Sequence, residues 1–259
     1  MNLKFAAVMP HPPIIVPEVG NEKDRNKVSA TIGAMEKIAK DFKTKEVDKV
    51  IVITPHGQNK KTLFTVYKSE RFTSSLPGKI INFEGDPELA EKIGNLEGVK
   101  ISESGNLDHG SSVPLSFLQS ESSGFKVAPL TFNTNDRNLN FQLGKKILKT
   151  IRNQNENIAI IASADLSHKL NSKAPAGYSE KGEKFDKKII KLTKENRTEE
   201  IIKMDRSLIR EAGQCGYGSI IILLGALSQI EYNPEVLSYE GPFGVGYGVL
   251  KYNIENNEN

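Results

Sequence analysis

Short apolar runs alternate with longer amphipathic stretches along most of this 259-residue chain. Residues 4–9, 49–54, 125–132 and 157–163 are rich in Val, Ile, Ala and Phe over strand-like lengths, and predict β-strands. Between the first two, Val28, Ile32, Met35, Ile38, Ala39 and Phe42 recur at steps of three and four. That spacing lays an apolar stripe along one face of a helix over 27–42. A second amphipathic helix is predicted over 139–154. Strand-helix alternation of this kind predicts an α/β domain with a central mixed, mostly parallel sheet flanked by helices.

The remaining segments refine that plan. Residues 63–66 and 79–83 read as a hairpin joined by a polar loop, and Asp86-Pro87-Glu88 opens a helix with a capping carboxylate and a first-turn proline. Residues 167–178 are rich in Ser, Pro, Gly and Lys, which suggests a mobile loop. The charged helical stretch over 181–204 reads as a solvated outer layer, whereas Ser219 to Leu227 is apolar all round and must be buried on every side. One domain over 1–254 is expected, followed by a disordered tail, 255–259.

Composition narrows the function classes. The formal charge of +3 comes from 35 basic and 32 acidic residues spread along the chain, with no basic block interleaved with aromatics, so nucleic acid is not an expected partner. No apolar run is long enough to span a bilayer, and the N-terminal apolar stretch turns directly into a His-Pro-Pro loop without a small-residue cleavage site. It reads as the first strand. The single cysteine, Cys215, excludes an internal disulfide framework and fits a cytoplasmic location. With no histidine near it in sequence, Cys215 reads as a buried small residue. G-x-S-x-G and Walker patterns are absent, which removes serine-hydrolase and nucleotide-phosphate chemistry.

The four histidines are the candidate chemistry. His11, His56 and His168 each follow a strand-like run, and in open α/β sheets ligands gather beyond the carboxyl ends of the strands. His109 lies in a turn that enters a helix, where unpaired N–H groups favour an anionic oxygen. Glu240, beside a loop with glycines at 241, 244, 246 and 248, is the best carboxylate to join His11 and His56. Together they would form a two-histidine, one-carboxylate set that suits iron(II), and zinc would also accept it. His168, after Asp165, Leu166 and Ser167, reads as an acid/base group because an imidazole titrates near neutrality.

At these residues the chain resembles the class III extradiol ring-cleavage dioxygenases, the LigB-like family. PHPPIIVPEVG (10–20), TPHG (54–57), LDHGSSVPL (107–115), SADLSH (163–168) and SYEGPFGVGYG (238–248) carry the resemblance in the family's order. Within it the chain is most similar to the branch called AmmeMemoRadiSam system protein A, whose members often carry a second domain, so a separate partner domain or subunit is expected. The resemblance implies iron(II) on His11, His56 and Glu240, His168 as acid/base, and His109 assisting at substrate or oxygen. Pro12, Asp108 and Asp165 are expected to support or line the site. It further implies a small aromatic diol opened with O2. Two other expectations stand beside this one: a metal-binding accessory protein of a modification system, and a zinc-dependent hydrolase. A homodimer is the default assembly.

Overall fold

The structure, a computed structural model, describes residues 2–57, 62–152 and 154–255. β1 (Leu3–Met9) leads through a 3₁₀ turn (Pro13–Ile15) into α1 (Glu22–Lys27) and α2 (Ser29–Lys43), and β2 (Lys49–Thr54) follows. Next come β3 (Phe64–Tyr67), β4 (Arg71–Leu76), β5 (Lys79–Glu84), α3 (Pro87–Gly94), β6 (Val99–Ser102) and β7 (Asn106–Leu107). α4 (His109–Glu121), β8 (Lys126–Phe132), α5 (Arg137–Ile151) and β9 (Ile158–Ser163) then lead into the C-terminal part. That part holds α6 (Glu180–Lys194), α7 (Thr198–Ile202), α8 (Arg206–Glu211), α9 (Tyr217–Leu227), β10 (Tyr232–Glu240) and β11 (Tyr247–Ile254).

Eight strands form the main sheet in the order β10-β11-β1-β9-β2-β8-β3-β6. β1, β9, β2 and β8 run parallel to one another, and every residue of β2 and β9 is buried, as expected of strands covered on both faces. Side chains alternate across the sheet. Ile51 and Ile53 enter the apolar layer that contains Leu143 and Ile147 of α5, Phe185 of α6 and all the large apolar residues of α9. Val50 and Val52 enter the opposite layer, with Met35 and Ile38 of α2 and Leu115 of α4. The mixed α/β architecture expected from the strand-helix alternation is therefore the one that forms.

Several local expectations change. The 63–66 and 79–83 segments do not pair: β3 lies antiparallel to β8 in the main sheet, and β5 pairs instead with β4. The polar run Arg71-Phe72-Thr73-Ser74 concealed β4, which turns into β5 through Pro77 and Gly78, the latter at φ +73°. β5, β4 and β7 make a separate three-stranded sheet. The helix expected over 27–42 forms as α2, starting after Val28, and a further short helix, α1, precedes it. The charged 181–204 stretch is two helices, and α6 buries Phe185, Asp186, Ile189 and Leu192, so it is more than a solvated layer. α9 is buried at every position. Of the expected tail, Glu255 donates its backbone N–H to Glu231 O, and 256–259 lie outside the described residues. No helix among the described residues is long and apolar enough to cross a membrane.

α5 and α9 meet at glycines. A Cβ on Gly144 would lie 2.0 Å from Ile222 O, and one on Gly225 would lie 2.2 Å from Phe141 O. Gly144→Ala is expected to force the helices apart and cost about 1–3 kcal/mol, the usual range for overpacking. A lowered urea midpoint would show it; an unchanged midpoint would contradict the close approach.

Candidate metal centre

β9 lies between β1 and β2, so the residues leaving the carboxyl ends of these three strands arrive side by side. His11 follows β1 by two residues, His56 follows β2 by two, and Ser163 ends β9. α4 is pinned to the same edge. Its N-cap Asp108 accepts from Ser111 N (2.9 Å) and from Thr54 Oγ1 (2.8 Å) through one carboxylate oxygen. Gly110 permits that approach, because a Cβ there would sit 2.3 Å from Thr54 Oγ1. His109, the first residue of α4, consequently packs against the other two imidazoles, with ring centroids 4.4 Å from His56 and 5.5 Å from His11.

Hydrogen bonding fixes the state of His11. Ser163 Oγ donates its only proton to Gly110 O, so toward His11 Nδ1, 2.7 Å away, it can only accept. His11 therefore carries its proton on Nδ1 and leaves Nε2 with a free lone pair. That Nε2 lies 3.0 Å from His56 Nε2 and 3.7 Å from Cys215 Sγ. His11 N donates to Asp165 Oδ1 at 2.9 Å, and Asp165 Oδ2 lies 3.8 Å from His11 Nε2.

Burial governs the charges. It holds His11 well below the ordinary imidazole range, and nearby His56, His109 and His168 push the same way. His56 is lowered to about 4 by burial and then by His109 and His168. Burial also lowers His168, whose imidazole interacts with the backbone of Leu166 and Gly213. Asp165 is raised to about 7 by burial, against the stabilising His11 N–H. The Cys215 thiol is pushed up by burial and by the Asp165 charge.

The donor atoms of His11, His56 and Cys215 all lie within 4.8 Å of one another, the grouping a metal ion requires. Neutral imidazoles, one with its lone pair fixed by a partner on the other ring nitrogen, together with a soft sulfur, fit a transition metal such as zinc or iron. The expected carboxylate is not part of this group. Glu240 ends β10, the edge strand, and its Oε1 accepts from Thr31 N (2.6 Å) in the first turn of α2. The Val28 N-cap of that helix makes no side-chain bond, so Glu240 supplies the negative partner that a helix N-terminus favours. Cys215 arrives from the loop before α9. Gly216 lets that loop press on Ala164, where a Cβ would lie 2.3 Å from the alanine's own, and Gly216 N donates to Asp165 O. Asp108 is the cap described above. Pro12 precedes the 3₁₀ turn and accepts from Ile15 N.

A family model described as "Catalytic LigB subunit of aromatic ring-opening dioxygenase" matches residues 5–250. The chain belongs to the LigB family. Protein CA_C1420 of Clostridium acetobutylicum is 34% identical over the whole chain, which spans 59% of that relative's length. 3,4-dihydroxyphenylacetate 2,3-dioxygenase of Escherichia coli is 26% identical, with 92% of this LigB chain and 94% of the enzyme aligned. A MEMO1 family protein of Methanococcoides burtonii is 27% identical over 64% of each chain. The crystal structure of uncharacterized protein JW3007 from Escherichia coli K12 superposes with a TM-score of 0.66 at 16% identity, covering 96% of this chain and 99% of the other. That likeness is one of fold.

The imidazole shifts carry a pH dependence with a defined sign. In the unfolded chain a histidine takes up its proton near pH 6.5, whereas folded His56 stays neutral down to about 4. The metal-free protein should therefore lose stability as pH falls through that window, because the unfolded state binds more protons. His56→Gln is expected to flatten part of this slope, read from urea midpoints across the window. An identical slope in the variant would contradict the depressed pKa.

Proposed function

We propose that this LigB-family chain is a metal-holding protein whose ion sits on His11, His56 and Cys215, with His168 and His109 on its open side. The observation that carries this reading is the convergence of the three donor atoms within 4.8 Å while Glu240 is bonded to α2. A thiol in the third place departs from the two-histidine, one-carboxylate arrangement of iron oxygenases, which favours metal custody over ring opening. Similarity to the longer Clostridium relative, of which this chain spans 59%, supports work with a further domain or subunit. We take iron(II) and zinc as the candidate ions.

A second reading, extradiol ring cleavage of a small aromatic diol with O2, is favoured by a different observation. Two imidazoles beyond the donor set, His109 and His168, flank it, and the Escherichia coli relative is a dioxygenase by name. A bound iron(II) ion would supply a Lewis-acidic centre for a diol and O2. The chain's own part would be proton handling. His168, whose pKa burial lowers, has the capacity to accept a proton from a phenolic hydroxyl, and His109, packed against His56, has a ring edge to offer as a donor. Asp165 would hold the His11 backbone in place through Oδ1.

Anaerobic metal titration of the wild type, Cys215→Ala and Glu240→Gln tests the donor assignment. Cys215→Ala is expected to weaken binding more than about tenfold, while Glu240→Gln keeps wild-type affinity and loses about 1 kcal/mol of stability with its helix cap. The opposite pattern would overturn the assignment. Iron(II)-loaded protein offered a panel of catechols in air separates the two functions. No ring-opened product supports metal custody; product formation, abolished in His168→Ala with metal retained, establishes the dioxygenase instead.

A further inference from the structure

The turn that carries His168 is bonded on every side. Leu166 N donates to Gly246 O (2.8 Å), His168 N to Ala212 O (3.3 Å) and Leu170 N to Gly244 O (3.1 Å), while Lys169 N donates to Ser167 Oγ (3.0 Å). The remaining backbone donor, Ser167 N, goes to a side chain: Asp186 Oδ1 of α6, at 2.8 Å. Asp186 is completely buried, and its Oδ2 accepts from Tyr239 OH of β10 at 2.9 Å. Among the described residues no cation pairs with it.

A buried carboxylate without a counter-ion is costly to the fold, and its two hydrogen bonds only partly offset that cost. The surroundings are shaped to receive it. A Cβ on Gly246 would fall 1.9 Å from Asp186 Oδ2, so glycine there leaves room for the oxygen. One turn earlier on the same face of α6, a Cβ on Gly182 would meet Ser167 Oγ at 2.5 Å and Lys169 O at 2.9 Å. α6 thus lies hard against the turn at both positions. The His168 imidazole itself interacts with the backbone of Leu166 and Gly213, so its direction follows the backbone of the turn.

We propose that Asp186 is the positioning residue for His168: through Ser167 N it locks the turn that aims the imidazole at the His11–His56 cluster. This rests on the reading that His168 works on the open side of the metal centre. Tyr239 steadies the carboxylate from β10, one residue before Glu240 steadies α2 on the other face of the sheet.

Ring-nitrogen NMR of the metal-free protein tests it, with the four histidines assigned through His168→Gln and the other single variants. Asp186→Ala is expected to raise the His168 pKa toward its ordinary value by about 0.5 or more, as the loosened turn lets water reach the ring. The His11 and His56 tautomers stay as in the wild type. Asp186→Asn, whose amide oxygen also accepts from Ser167 N, should restore the wild-type value. A folded Asp186→Ala protein with an unchanged His168 pKa and tautomer overturns the proposal. Should alanine prevent folding, Asp186→Glu, which moves the carboxylate by one methylene, must shift His168 in the same direction, and no shift there overturns it equally. None of these readouts needs turnover. A failure of the functional reading, seen as His168→Ala leaving both metal affinity and any ring opening unchanged, is therefore distinct from a failure of the positioning role.

Discussion

The hydroxyl of Ser163 is the point on which the centre depends. It has one proton, given to Gly110 O, and so it must accept from His11 Nδ1. A single small side chain thereby ties the ends of β1 and β9 to the start of α4 and decides which nitrogen of His11 is free. Everything nearby follows from that choice. His56, held by Thr54 and the Asp108 cap, presents its Nε2 to the same point, and Cys215 closes the group from the loop before α9.

Such crowding requires backbone that comes unusually close. Gly110 and Gly216 stand at the two approaches, one beside Thr54 and the other beside Ala164, and in each place a Cβ would collide. The electrostatic consequence is that burial, with the neighbouring imidazoles, lowers the pKa values of His11 and His56, and burial lowers that of His168. Neutral imidazole is the form that binds a metal or accepts a proton. The same burial raises the nearby Asp165 carboxyl to about 7, against the His11 N–H that favours its charged form.

Much of this is legible in the amino-acid sequence. The strands at 49–54 and 157–163 are continuous Val, Ile and Ala runs that only a doubly covered sheet explains, and a histidine beyond each strand end points to the sheet's carboxyl edge. Asp86 announces a helix start by the usual cap chemistry, with Pro87 in the first turn. The proposed third donor is not legible there. Glu240 and Cys215 are both polar residues in glycine-rich surroundings, and Cys215 stands 204 residues from His11 in sequence. Which of them reaches the histidines depends on where α2 needs a capping anion and on how closely Gly216 lets its loop approach. These are facts of packing. β4 is hidden for a different reason: the run Arg71-Phe72-Thr73-Ser74 is largely polar, and it belongs to a small second sheet with β5 and β7.

In the proposed centre a cysteine sulfur, and no carboxylate from Glu240, completes the donor set. X-ray absorption at the metal edge of zinc-loaded protein tests this most directly. One sulfur scatterer at about 2.3 Å beside two nitrogens at about 2.0–2.1 Å is the predicted result. A shell of nitrogen and oxygen alone, unchanged in Cys215→Ala, would contradict it.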